Sequence, residues 1–168
     1  MINVAILTVS DRSSRGERPD ASGPVIREMV TGQMQATVIR EGVVPDDREL
    51  IAATLREWVP LADVILTTGG TGFAPRDVTP EATLEVIERR APGLEEAMRL
   101  DSLQKTPHAM LSRAVAGIRG RCIIVNLPGS PKAVRENLAE ILPALPHGVR
   151  ILKEEAAESE HTFSRSGT

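Results

Sequence analysis

The chain has 168 residues, 41% of them hydrophobic and 26% charged, the balance of one globular domain able to bury a core. A net charge of −3, with one Trp, two Phe and no Tyr, argues against a protein that neutralises nucleic-acid phosphates or stacks on single strands. No apolar run is long enough to cross a bilayer and no basic segment precedes the first apolar stretch, so a cytoplasmic protein without membrane attachment is expected.

Asn3 to Val9 (NVAILTV) is almost continuously apolar and β-branched, the pattern of a strand buried on both faces of a parallel sheet. Ser10 to Ala21 reads as a polar loop, of a length that often marks function. Ser22-Gly23-Pro24 opens a helix with Val25, Ile26, Met29 and Val30 on one face. Ala36 to Val44 reads as a second strand. Pro45-Asp46-Asp47 then starts a helix striped by Ile51, Leu55, Trp58 and Val59, and Pro60 ends it.

Asp63 to Thr68 is a third buried strand, broken by Gly69-Gly70. Thr79-Pro80 opens the next helix, with Thr79 as N-cap and the proline in its first turn. Pro92-Gly93 is expected to interrupt that helix, and Leu94 to Gln104 to form another. Ser112 to Ile118 and Arg121 to Asn126 read as strands about an Arg119-Gly120 turn. Pro128 to Pro131 is a strand-to-helix junction, followed by a helix with Val134, Leu138, Ile141 and Leu142 on its apolar face. Cys122 lies in the apolar run Cys122 to Val125 and reads as a small buried hydrophobe. The three histidines (His108, His147, His161) share no metal-ligand spacing, so zinc is not expected. Strands alternating with amphipathic helices give an α/β fold with a mostly parallel open sheet and helices on both faces. One domain over residues 1–153 is expected, with a flexible tail at 154–168, where apolar side chains are nearly lacking.

In such a sheet ligands bind outside the carboxyl ends of the strands. Four strand-end segments are distinctive: Ser10-Asp11, Pro45-Asp46-Asp47, Gly69 to Thr79 and Asn126 to Lys132. The strongest is TTGGTGFAPRDVTP, Thr67 to Pro80. Its three glycines permit positive φ and close ligand approach, its successive N–H groups can cradle an anion, and the helix at Pro80 adds a positive dipole end. It is neither a Walker A loop nor a dinucleotide fingerprint. A glycine pair alone can be only a tight turn, but Thr71, Arg76, Asp77 and Thr79 beside it favour a phosphate site.

Asp77 would repel phosphate there unless Mg²⁺ bridges the two. On spacing alone, Asp46 reads as an N-cap with Glu49 completing a capping box. A metal role for Asp46 is compatible with that only if different oxygens, or Asp47, do the capping. Lys132 and Arg135 lie where the helix dipole disfavours cations, which leaves two readings open: a solvated surface, or a face turned to an anionic ligand.

The runs TVSDR (Thr8 to Arg12), Pro45-Asp46, TGGTG (Thr68 to Gly72) with RDVTP (Arg76 to Pro80), Ser112-Arg113 and NLPGSP (Asn126 to Pro131) occur in this order in the MogA/MoaB-like molybdopterin adenylyltransferases. The chain resembles that family, which includes the G domain of animal gephyrin and its plant counterpart, from Val4 to about Leu142. The resemblance implies a three-layer α/β/α fold, commonly trimeric, and Mg²⁺-dependent transfer of AMP from ATP to molybdopterin with release of pyrophosphate.

By matching position, the resemblance makes Asp46 and Asp77 the essential acidic pair and the candidate Mg²⁺ ligands, which displaces the capping role of Asp46. It puts Gly69, Gly70, Thr71, Gly72, Thr79, Pro128, Gly129 and Ser130 on the nucleotide side. It assigns Ser10, Asp11, Ser102, Ser112 and Arg113 to the pterin, with Thr71 touching both substrates. Other molybdenum cofactor biosynthesis proteins are expected partners. The alternative is a non-catalytic pterin-binding or scaffolding protein on the same fold. Retention of both carboxylates favours the enzyme, because a binder of an anionic pterin gains nothing from them.

Overall fold

The β-branched run Asn3–Val9 forms β1, and the next two strands in sequence flank it, one on each side. The computed structural model describes residues 1–154; of the expected tail, residues 155–168 lie outside the described residues. Thr37–Val44 is β2 and Val64–Thr68 is β3, both parallel to β1 and flanking it, while Cys122–Leu127 runs parallel to β3. Two short strands, Arg89–Arg90 (β4) and Ala116–Arg119 (β5), complete the sheet antiparallel, and Cys122–Leu127 is β6. The strand order is β2-β1-β3-β6-β5-β4. The chain thus winds one way from β1 to β2 and the other way from β3, which puts a topological switch point between β1 and β3.

Alternate residues of the buried strands enter two separate cores, as a sheet covered on both faces requires. Val4, Ile6, Val64, Leu66 and Val125 pack on one face against Ile26 and Met29 of α2 (Ser22–Gln33), Met98 of α5 (Pro92–Leu103) and Val134 and Leu138 of α6 (Pro131–Ile141). Ala5, Leu7, Ile65 and Ile124 pack on the other against Ile51, Leu55 and Trp58 of α3 (Arg48–Trp58) and Ala82 and Val86 of α4 (Thr79–Val86). The architecture is therefore the expected three-layer α/β/α, and no helix among the described residues is long and apolar enough to cross a membrane. Cys122 is buried, and burial pushes its thiol up to about 12.

Several local expectations change. The polar stretch after β1 is not all loop: Asp11–Ser14 (α1) makes one helical turn, capped by the Ser10 hydroxyl accepting from Ser13 N at 3.1 Å. The cap of α3 is Asp47, whose Oδ1 accepts from Leu50 N at 2.9 Å, so the carboxylate of Asp46 is free of that duty. Thr79 is not an N-cap. It is the first residue of α4, fully buried, and its hydroxyl donates to Gly69 O at 2.9 Å. Pro92 does not interrupt α4, which ends at Val86, but occupies the first turn of α5, where its missing N–H costs nothing. Pro107–Leu111 is a 3₁₀ turn, and β5 begins only at Ala116 because the carbonyls of Ser112 and Ala114 accept from Arg99 instead. A final helix over residues 145–154, with Pro146 in its first turn, buries Leu145, Val149 and Leu152, which repeat at helical spacing.

Candidate functional site

The ends of β1, β3 and β6 open into a polar pocket of about 600 Å³ at the switch point, lined by Ser10, Asp46, Gly69, Gly70, Asp77, Gly129 and Ser130 among others. Gly69 (φ 95°) and Gly70 (φ 68°) take left-handed backbone that only glycine adopts cheaply. A Cβ on Gly70 would fall inside van der Waals contact of the Thr79 hydroxyl and lie 3.1 Å from Asp46 Oδ1. Gly72 does not share that left-handed backbone; its lack of a side chain serves proximity, since a Cβ there would sit 3.0 Å from Asp77 Oδ2.

Two of the loop amides are already engaged: Gly72 N and Ala74 N both donate to Asp77 Oδ2 at 3.1 Å, so the Asp77 carboxylate takes that part of the cradle which the glycine run was expected to offer a ligand. Asp46 is held differently. Its Oδ2 accepts from Asp11 N at 3.0 Å, and its own N–H donates to Asp11 Oδ1 at 3.0 Å. Burial raises the pKa of Asp46, and the charges of Asp11 and Asp77 push the same way against the Asp11 backbone hydrogen bond. Asp11 is drawn down to about 2, chiefly by its hydrogen bonds from Arg76, whose Nε lies 2.5 Å from Oδ2.

No group of three or more His, Cys, Asp or Glu able to hold a metal occurs among the described residues. Of the carboxylates on the pocket wall, Asp20 is already engaged by Thr8, Ser22 and Gly23, so a cation here would draw its protein carboxylates from Asp46 and Asp77. That set suits Mg²⁺, which keeps several waters and takes further oxygens from substrate phosphates. Burial first, and then the charges of Asp11 and Asp77, disfavour the ionised Asp46 carboxylate, and a cation would offset both.

A second cavity, of about 290 Å³, lies on the other side of the 69–72 and 128–130 turns. Thr71, Gly72 and Pro128 line it, while Gly69, Gly70, Gly129 and Ser130 line the polar pocket, so the two turns form a shared wall. Met98, Ala109 and Leu111 make much of the second cavity's wall apolar, while Ser102, Ser112 and charged side chains such as Arg99, Lys105 and Glu136 lie around it. Asn137 Nδ2 donates to Ser102 Oγ at 2.7 Å and fixes that hydroxyl.

The residues expected at the pterin therefore divide. Ser102 and Ser112 line the apolar cavity, Ser10 lines the polar pocket, and Asp11 sits beside the latter with Asp46. Arg113 lines neither: it donates to Gly72 O and Asp77 O at 2.7 Å each and pairs with Glu81, bracing the glycine loop from behind. Thr79 likewise supports the loop from within the core. Arg135 pairs with Glu28 on α2, and Lys132 is exposed and lines neither pocket, as the solvated-surface reading of these cations requires.

Sequence reasoning missed Glu95, Met98, Arg99 and Asn137 around the apolar cavity. The first three, with Ser102, follow the i, i+3, i+4, i+7 spacing of one helix face, a signal that was present. It also missed Asp20. Oδ2 of this residue accepts from Thr8 Oγ1 at 2.7 Å and Oδ1 from Ser22 N and Gly23 N at 3.1 Å, fastening the start of α2 to β1.

A doubly covered, mostly parallel sheet with an acidic pocket at its switch point, sharing a wall with a second cavity, defines an α/β protein with two adjacent candidate small-molecule pockets. The chain belongs to the family described as "Probable molybdopterin binding domain", whose model matches residues 5–147. The molybdopterin adenylyltransferase of Helicobacter pylori J99 is 42% identical over 90% of this chain and 88% of its own length. Gephyrin of Dictyostelium discoideum is 46% identical over 97% of this chain but 24% of its own length, so the chain spans about a quarter of that relative. The crystal structure of the molybdopterin biosynthesis enzyme MoaB from Thermus thermophilus superposes with a TM-score of 0.85 at 52% identity, covering 90% of this chain and 96% of that one.

Proposed function

We propose that this chain is a molybdopterin adenylyltransferase, which moves AMP from ATP to the terminal phosphate of molybdopterin. The observation that carries this reading is the shared wall: a polar, acid-lined pocket and an apolar cavity meet at the 69–72 and 128–130 turns. The apolar cavity suits a flat pterin, with the Ser102 and Ser112 hydroxyls as orienting points, and the switch-point pocket suits a nucleotide. In the transfer, a phosphate oxygen of molybdopterin bonds to the α-phosphorus of ATP. The bond from that phosphorus to the oxygen bridging the β-phosphate breaks, and pyrophosphate leaves with the electron pair.

The attacking phosphate is already ionised, so no side chain has to remove a proton. What the chain supplies is position and charge. The left-handed Gly69-Gly70 turn removes side chains from the wall and lets the two substrates approach. Asp46 and Asp77 would hold Mg²⁺, which when bound neutralises the triphosphate. Arg113 and Thr79 keep the glycine loop in place from behind. The chain is further read as a cytoplasmic homotrimer working with other molybdenum cofactor biosynthesis proteins. Exposed Phe73, Met110 and Leu111 support self-association, and light scattering should give three times the 18.1 kDa chain mass.

The test is incubation with ATP, Mg²⁺ and molybdopterin, followed by mass spectrometry. Adenylyl-molybdopterin and pyrophosphate should form in equal amounts. Tight pterin binding without AMP transfer would overturn the reading in favour of a non-catalytic pterin-binding protein.

A further inference from the structure

Beside the acidic pocket lies an arrangement whose residues Asp11 and Arg76 line neither cavity. Asp46 is half-buried and hydrogen-bonded to Asp11, a second carboxylate, so turning out to water would relieve both burial and repulsion. Asp46 nevertheless stays in, and the reason is a clamp built from three loops. After β1, Asp11 exchanges hydrogen bonds with Asp46: Asp11 N donates to Asp46 Oδ2, and Asp46 N donates to Asp11 Oδ1, both at 3.0 Å. After β3, Arg76 reaches across with a two-pronged grip on Asp11, Nε to Oδ2 at 2.5 Å and Nη2 to Oδ1 at 2.9 Å. The same Nη2 donates to the backbone oxygen of Asp46 at 3.1 Å, in the loop after β2.

We propose that Asp11 and Arg76 are a positioning pair for adenylyl transfer, holding the Asp46 carboxylate in the nucleotide pocket by tying together the loops that follow β1, β2 and β3. The inference rests on the adenylyltransferase reading. It gives Asp11 a task other than the pterin contact expected from its position in the sequence. Both of its oxygens are engaged by Arg76 and one also by Asp46 N, and it lies apart from the apolar cavity. Stability alone does not explain the pair. The Arg76 side chain is 65% exposed, and ion pairs that open to water contribute little to folding. The planar guanidinium matters because one fork meets two oxygens of Asp11 and still reaches Asp46 O, a geometry an ammonium cannot copy.

The experiment measures kcat and KM for ATP and molybdopterin in the full chain carrying Arg76→Ala, Arg76→Lys or Asp11→Asn, each alone and combined with Asp46→Asn. Pterin affinity is followed separately by fluorescence, and folding by thermal denaturation. Arg76→Ala should lower kcat about 10- to 100-fold, the usual cost of losing a group that orients an essential ligand. Pterin affinity and the KM for molybdopterin should stay within about twofold. Arg76→Lys should recover only part of the loss. In the Asp46→Asn background, Arg76→Ala and Asp11→Asn should cost almost nothing more, because the group they position has lost its charge. Should Arg76→Ala fail to fold, Asp11→Asn and Arg76→Lys complete the same cycle. Losses that multiply fully in the Asp46→Asn background would overturn the pair as a positioning device, as would a raised KM for molybdopterin at unchanged kcat. A wild-type chain that binds pterin but transfers no AMP would instead overturn the adenylyltransferase reading, and the pair with it.

Discussion

Replacing Asp46 by Asn should make the protein more stable and much less active at once. The half-buried carboxylate of Asp46 is raised in pKa first by burial and then by the charges of Asp11 and Asp77. A folded pKa above the unfolded one means that the fold opposes ionisation, so the ionised group weakens the native state at neutral pH. Asn keeps an oxygen to accept from Asp11 N and removes the charge. Relief of burial and repulsion should stabilise by about 1 kcal/mol, since solvent still reaches the cluster, and raise Tm by about 2–4 °C in a chain of this size. The catalytic loss works from the same charge. One unit charge acting over about 4 Å at an effective dielectric near 20 is worth about 4 kcal/mol, a factor of about a thousand in rate. Calorimetry gives the first number, and the rate of adenylyl-molybdopterin formation at saturating substrates gives the second. A folded Asp46→Asn protein with full turnover would refute the acidic role, and one with lowered Tm would refute the electrostatic account of its burial.

Other expectations follow from single contacts. Gly70→Ala should destabilise by about 2 kcal/mol, from positive φ and the clash with the Thr79 hydroxyl, whereas Gly129→Ala should be nearly neutral because its Cβ meets Gly69 Cα at an ordinary 3.5 Å. Equal urea midpoints for the two would sink that distinction. Asp11, with a folded pKa near 2 against an ordinary 3.8, contributes stability that is complete above pH 3.8 and disappears as pH falls towards 2. Arg76→Ala should erase that slope, which is small for so exposed a pair, and an unchanged acid-unfolding curve would contradict it. Cys122, buried with its thiol pushed up to about 12, should react with a thiol reagent only as fast as the chain unfolds. Rapid labelling of native protein would show that β6 opens locally.

Much of this protein could be read from its sequence because the relevant physics is local. Buried parallel strands must be apolar on both faces, so Asn3 to Val9 and Asp63 to Thr68 declared themselves, and the runs around Gly69-Gly70 and Asn126 to Pro131 marked the strand ends where a ligand belongs. Helix stripes such as Ile51, Leu55 and Trp58 follow from one period and needed no partner to be recognised.

What tertiary structure decided was which neighbours share a space. Whether Asp46 or Asp47 caps α3 depends on where Asp11 lies, 35 residues away in sequence, and its N–H claims the Asp46 carboxylate. That Asp77 takes part of the glycine cradle depends on how the loop turns back on itself. The apolar cavity exists only because α5 and α6 pack together: the spacing of Glu95, Met98, Arg99 and Ser102 marks one face of α5, but not that Asn137 of α6 lies opposite it. Periodicity fixes which face of an element is buried. Side-chain hydrogen bonds between distant loops form only after the sheet has brought those loops to one edge, so the sequence carries the residues of the site but not their pairing.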